Sequence, residues 1–302
     1  MKAIVLAALA LLLAAVPALA AGPRIITEDV TRFYKLYDAA GGHPSVDQLE
    51  RDYLARGSDG LHQFAKARNV TAPRIFDNIE KNPQTYAQAR ACMAALPGVK
   101  RRLTVAFDKL ARLYPEAKFP PVTLVVGRGR PVGITDASGV LIGLEAMCSA
   151  TFMNPNLEDR FVHNIAHEYG HIQQSPALQA LNPGDPGATV LMVALVEGAG
   201  EFTAELISGG VGNAQHRAWT RGHEGEIERA FVRDEDKTDL SRWFYNGPGD
   251  AAHPGDLGYW VGYRIVKAYY RHAADKHQAL VDIFNLTDPK AFLARSGWKP
   301  AT

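Results

Sequence analysis

Only two cysteines, Cys92 and Cys148, occur in 302 residues. That excludes a cysteine-held metal cluster and a disulfide-dense scaffold. One disulfide or two buried thiols remain open, and neither cysteine has metal-type spacing. A surplus of charge is missing as well: 33 basic and 32 acidic side chains leave a net +1. No polyanion or charged membrane surface is implied as a partner, and no nucleic-acid partner is expected. Past the leader there is no internal repeat and no low-complexity tract. Hydrophobic residues make up 47% of the chain, ordinary for a globular protein with a real core.

The one long apolar run is at the start. "MKAIVLAALALLLAAVPALAAGPR" has a single Lys, an apolar stretch from Ala3 to Val16, and small residues around Ala20. This is the pattern of a secretory signal peptide over residues 1–20, short for a membrane span. No cysteine lies near the cleavage site, so a lipoprotein anchor is not supported. The expectation is a chain exported to the periplasm or beyond, maturing near Ala21, with no permanent membrane anchor.

Residues 21–118 read as a helical region. "TEDVTRFYKLYDAA" places Val30, Phe33, Tyr34 and Tyr37 on one face. Ser45 stands three residues before Gln48, a capping-box spacing. Pro97-Gly98 separates two further helices. After Pro120-Pro121 the pattern changes. "VTLVVGRG" is rich in β-branched residues, and "RPVGITDASGVLIGLEAM" continues as strand around a turn at Asp136–Gly139. "GVLIGLEAM" is expected to be an edge strand. "NLEDRFVHNIAHEYGHIQQ" and "ATVLMVALVEGAGEFTAELISGG" follow as helices, then a polar surface helix, the amphipathic "DLGYWVGYRIVKAYYRHAA" and a short closing pair. The expected fold is α+β and helix-dominated, with a small sheet packed on the helices of a second region, 119–302.

"HEYGH" at His167–His171 carries the chemistry. On a helix, His167 and His171 are i and i+4, so two imidazoles leave one face and can grip one Zn²⁺. Glu168 sits beside them and can take a proton from a zinc-bound water and pass it on, as a general base. A catalytic zinc needs a third protein ligand. His163 extends the ladder, but eight residues of helix rise about 12 Å, too far for one ion. Gln174 and Ala177 stand where the metzincin pattern needs Gly and His, and the inverted H-x-x-E-H order is absent. Carboxylates on the next helix remain. "LVEGAGEF" offers Glu197, 26 residues on from His171 (197 less 171), and Glu201 one turn later. Gly198, Ala199 and Gly200 let that helix approach the histidine helix closely. Two glycines in a helix interior cost roughly 1 kcal/mol each relative to Ala, so they want such a reason.

"HEYGH … VEGAGEF" resembles the gluzincin metallopeptidases, in which the zinc motif is followed by a glutamate ligand on the next helix. Val196-Glu197-Gly198 is similar to the N-E-G-x-A motif of the aminopeptidase N-like branch, with Val for Asn and Gly200 for Ala. The resemblance implies a zincin-like fold and one zinc per chain, held by His167, His171 and Glu197. It also implies that Glu201 orients a histidine ligand. "GYWVGYRIV" resembles the Tyr-x-x-Gly of the same branch, which makes Tyr259 the implied oxyanion donor, with Tyr263 as competitor. "GLEAM" has the wrong order for the exopeptidase G-x-M-E-N motif, so no amine-binding role passes to Glu145. The whole set is also similar to a bacterial family of predicted Zn-dependent proteases, over roughly 120–270. The implied function is an exported zinc peptidase acting on a peptide or protein substrate. A zinc hydrolase of a non-peptide amide or ester, and a peptide-binding module that keeps the metal site, are its rivals.

Overall fold

The computed structural model describes residues 23–130, 133–136, 138–150, 153–247 and 249–302. The expected signal peptide lies outside the described residues. Strand β1 (Ile25–Ile26) opens the chain, and helix α1 (Glu28–Ala39) follows, burying Val30, Phe33 and Tyr34. Short helix α2 (Val46–Gln48) starts on the Ser45–Gln48 capping box, in which the Ser45 hydroxyl accepts from the Gln48 amide, and runs into a π-helical turn at Leu49–Leu54. Helices α3 (Asp59–Arg68), α4 (Ala72–Lys81), α5 (Pro83–Cys92) and α6 (Leu96–Leu113) complete this region. Pro97-Gly98 lies in the first turn of α6 rather than between helices. The first turn is where a proline's missing N–H costs nothing.

Strand β2 (Val122–Val125) pairs in parallel with β1 on one side and with β4 (Gly139–Gly143) on the other. Strand β3 (Gly133–Asp136) pairs antiparallel with β4, so the order is β1-β2-β4-β3. This corrects one expectation. Strand β4 is interior and wholly buried, and β3 is the edge. A short run with no polar alternation fits a strand covered on both faces, and "GVLIG" has none.

Tyrosines tie the N-terminal helices to the sheet. The Tyr53 hydroxyl donates to the Val126 carbonyl at 2.6 Å and accepts from its amide at 2.8 Å. The Tyr86 hydroxyl donates to Gly127 O at 3.0 Å. Helix α7 (Leu144–Ser149) follows β4, and Cys148 on it is disulfide-bonded to Cys92 at the end of α5. One hydrophobic cluster runs through the described residues from Val30 to Phe292.

Helix α8 (Leu157–Gln173) carries the HEYGH motif. Asn156 caps its start by accepting from the Asp159 amide. Tyr169 leaves the opposite face, packs on Phe107 at 4.2 Å between ring centroids, and donates its hydroxyl to Pro120 O. A short turn of helix, α9 (Pro176–Gln179), leads to α10 (Val190–Ser208), which Thr189 caps and Gly209 ends at φ +90°. The chain closes with α11 (His216–Trp219), α12 (Glu224–Asp234), α13 (Leu257–His272), α14 (Lys276–Phe284) and α15 (Pro289–Ser296). The fold is α+β and helix-dominated with a small mixed sheet. No described helix is long and apolar enough to cross a membrane.

The glycines of α10 divide their work. A Cβ on Gly200 would lie 2.8 Å from the His167 ring, and one on Gly170 2.7 Å from Gly200 Cα. Gly200 therefore serves the close approach of α8 and α10. Gly198 faces the other way: its Cβ would lie 2.2 Å from the Gly262 carbonyl carbon on α13. Helix α10 is the middle of three closely packed helices, which is why it is apolar nearly all round.

Candidate metal centre

Helices α8 and α10 bring three donors together. The Nε2 atoms of His167 and His171 are 3.0 Å apart. Glu197 Oε2 stands 3.4 Å from the first and 3.3 Å from the second. Among the described residues, His167, His171 and Glu197 form the one group of three or more His, Cys, Asp or Glu donors close enough to hold a metal ion. Donor atoms around a tetrahedral zinc, each about 2.0–2.1 Å from the metal, are about 3.3 Å from one another. The three separations here fit that figure, so the residues fit the ion.

The outer atoms of both rings also have neighbours. His167 Nδ1 lies 3.2 Å from Glu201 Oε1, and Asn213 Nδ2 reaches the same oxygen at 3.4 Å. His171 Nδ1 is 3.0 Å from Gln174 Oε1, and Gln174 in turn donates to Val196 O at 2.8 Å. A hydrogen-bonded acceptor on Nδ1, as His171 has in Gln174, fixes the tautomer that leaves Nε2 free for a metal, while His167 Nδ1 meets Glu201 at ion-pair distance without hydrogen-bond geometry. Gln174, which spoils the metzincin pattern, thus orients His171.

The electrostatics follow from this crowding. Burial opposes charge on Glu197, but the imidazoles of His171 and His167 overcome it and hold the carboxyl down at about 2. Burial likewise pushes both imidazoles toward neutrality, and the carboxylates win there too. His167 is raised well above its ordinary 6.5 by Glu197 and Glu201, and His171 is raised by Glu197. A concentration of negative charge that raises imidazoles also attracts a cation.

Glu168 is half-buried beside the cluster, and the Thr135 hydroxyl on edge strand β3 donates to its Oε2. Sequence reasoning missed Thr135, because nothing near it in the chain marks a partner on another element. Tyr259 lies with its ring centroid 6.2 Å from that of His167. Burial, then the charge of Glu197, pushes its hydroxyl well above the usual range, so it stays protonated. Tyr263 points elsewhere, with its hydroxyl accepting from Lys267 Nζ at 2.6 Å. Tyr245 was also missed. It sits at φ +59° in the loop before α13, and partial burial followed by Glu197 raises its hydroxyl to about 12. His163 stays out of the cluster, its ring against Gly210. Glu145 is buried in the sheet region, where Oε1 accepts from the amides of Gly127 and Gly129. Burial outweighs those bonds and raises its carboxyl.

Comparison with known proteins corrects the family expectation. The family model that matches is that of the gliding motility protein GldB, over residues 213–300. No curated protein and no solved structure matches. The matched segment runs from the start of α11 to beyond α15, and contains Tyr259 but not His167, His171 or Glu197. The gluzincin peptidase kinship, the likeness to bacterial Zn-dependent proteases and the assignment as an exported zinc peptidase are therefore withdrawn. What this chain is similar to, over less than half its length, is GldB.

Proposed function

We propose that the chain binds one zinc ion through His167, His171 and Glu197 and is a zinc-dependent hydrolase. The observation that carries this reading is the convergence of three donor atoms within 4.8 Å of one another, each from a residue type that zinc takes. Zinc held by three protein ligands supplies a Lewis acid and lowers the pKa of a water into the neutral range. The chain's own residues do the rest. Glu168, held by the Thr135 hydroxyl on Oε2, would take the proton and deliver it to the leaving group. Tyr259, protonated and with its ring centroid 6.2 Å from that of His167, would donate to the developing negative oxygen. A small sheet whose edge strand touches the base, followed by two ligand helices, is in this reading a zincin-like arrangement.

The likeness to the GldB lipoprotein family and the Cys92–Cys148 disulfide support an exported chain that works at a membrane. Elemental analysis of the purified chain after zinc loading and dialysis tests the metal: one zinc per chain is expected, and none in H167A or H171A. A screen of model ester and amide substrates tests the chemistry, with turnover expected from wild type and not from E168Q. A wild type that keeps no zinc, or an E168Q protein as active as wild type, overturns the proposal.

A further inference from the structure

Behind the metal cluster, between α10, α11 and α13, lies a cavity of about 640 Å³. Glu201 and Tyr259 form its boundary with the cluster. Its walls carry four cationic side chains, Arg217, Arg264, Lys267 and Arg271, against two carboxylates, Glu201 and Glu205. Lys267 reaches in from α13 and is paired with Glu205 at 2.7 Å. Arg217 on α11 and Arg271 on α13 also line it, and neither has a carboxylate within ion-pair distance among the described residues. Both side chains are solvent-exposed, so they stand open to a ligand. Both guanidinium groups act on the Tyr263 hydroxyl, pulling against the burial and the Glu205 charge that raise it. Both residues line the same cavity as Tyr263.

Two buried atoms in the wall are also unpartnered. His216 is 5% exposed, and its Nε2 is taken by Gly255 O at 2.8 Å. Its Nδ1 is consequently a buried lone pair with no partner. The indole N–H of Trp298 is buried and unpartnered in the same cavity. A buried polar atom left unpaired costs about 1–3 kcal/mol. A ligand with several acceptor oxygens and one hydroxyl or acidic proton would satisfy both atoms and both arginines.

We infer that this cavity is a binding site for a phosphoryl group, with Arg217 and Arg271 as its forks, Trp298 as a neutral donor and His216 accepting the ligand's own O–H. A guanidinium fork matches phosphate oxygens two at a time. A phosphoryl group also has enough oxygens for all the donors, which a carboxylate has not. The site stands whether or not the metal cluster turns over substrate, because none of these four residues touches the metal donors. The phosphoryl group comes either free in solution or as the headgroup of a phospholipid.

The test uses the whole chain. Inorganic phosphate and acetate are titrated against the change in tryptophan fluorescence, since Trp298 and Trp260 both line the cavity. Saturable binding of phosphate and not of acetate is expected, weakened at least 10-fold in R217Q/R271Q while zinc content and melting temperature stay at wild-type values. R217K/R271K, which keeps the charge and loses the forks, should fall between. Cosedimentation with phosphatidylglycerol or phosphatidylcholine vesicles distinguishes the sources. Vesicle binding that R217Q/R271Q abolishes assigns a lipid headgroup. Phosphate binding without vesicle binding assigns a soluble ligand. If neither phosphate nor vesicles bind, or if R217Q/R271Q binds them as wild type does, the inference is overturned.

Discussion

His167 Nδ1 lies 3.2 Å from Glu201 Oε1, on the side of the ring turned away from Glu197. One helix thus meets one imidazole with two carboxylates, and the geometry gives them different roles. E197Q removes a donor that faces both Nε2 atoms and should abolish zinc retention. E201Q leaves the three donors in place and loosens only the orientation of His167, so affinity should fall about 10–100-fold. Competition against a zinc chelator measures both. Loss of zinc in E201Q with retention in E197Q would mean that Glu201, not Glu197, completes the site.

The bond from Thr135 to Glu168 gives a second prediction. T135V keeps the shape of the side chain and removes the hydroxyl, on an edge strand where the loss exposes no new cavity. Zinc content and fold should be unchanged. Any hydrolytic turnover should fall, because the carboxylate is free to swing away from the reacting water. General-base catalysis contributes about 10²–10⁴-fold, so the loss for T135V should be a fraction of that seen for E168Q. Turnover equal to wild type would make the contact incidental.

Metal and protons compete at the cluster, and the direction can be worked out. Both imidazoles are raised above 6.5, so in the metal-free protein their pairing contributes fully below that value and is lost as the pH rises through the raised range. Glu197 is depressed to about 2 from 4.5, so its share is present above 4.5 and lost as the pH falls toward 2. The metal-free chain should therefore be best stabilised by this cluster between pH 4.5 and 6.5. Zinc needs neutral imidazoles. Its stabilising effect should vanish in that window and grow as the pH rises above it. Melting curves with and without zinc from pH 5 to pH 8.5 should diverge with increasing pH; parallel curves would contradict the assignment.

The Cys92–Cys148 bond closes a loop of 56 residues between α5 and α7. Chain-entropy arithmetic for that length gives about 4 kcal/mol of stabilisation as an upper figure. C92S/C148S should lower the melting temperature without changing zinc content, since neither cysteine lies on α8 or α10.

The sequence was legible where a signal is local. The spacing that puts His167 and His171 on one face and the Ser45 cap each show within a few residues and hold, whereas of the two α10 glycines only Gly200 serves the approach to α8 and Gly198 faces α13. Placing β4 at an edge failed because strand order depends on a pairing between β2 and β4 that crosses the hairpin with β3, and no periodicity in "GVLIG" reports it. Thr135 escaped notice because it acts on a residue from another element, and Gln174 was read only as a departure from a motif because its partner is His171, one turn back. The family was misjudged for a related reason. Zinc motifs occupy few residues and say little about the remaining chain, whereas the GldB match spans residues 213–300, a stretch outside the metal donors.

The three-helix stack allows the site and the fold to be separated by experiment. A Cβ on Gly262 would lie 1.7 Å from the Ala194 carbonyl oxygen, with backbone on both sides and no flexible side chain to yield. G262A should push α13 away from α10 and destabilise by at least about 3 kcal/mol, the upper part of the range for overpacking. Because Tyr259 lies one turn before it, turnover should fall along with stability. G200A is different. Its Cβ would meet the His167 ring at 2.8 Å, a side chain that can turn. Zinc affinity should fall at least 10-fold while the melting temperature changes less than in G262A. If the two variants lost stability alike and G200A kept its zinc, Gly200 would serve helix packing alone, and the close approach of α10 to α8 would have no part in shaping the metal cluster.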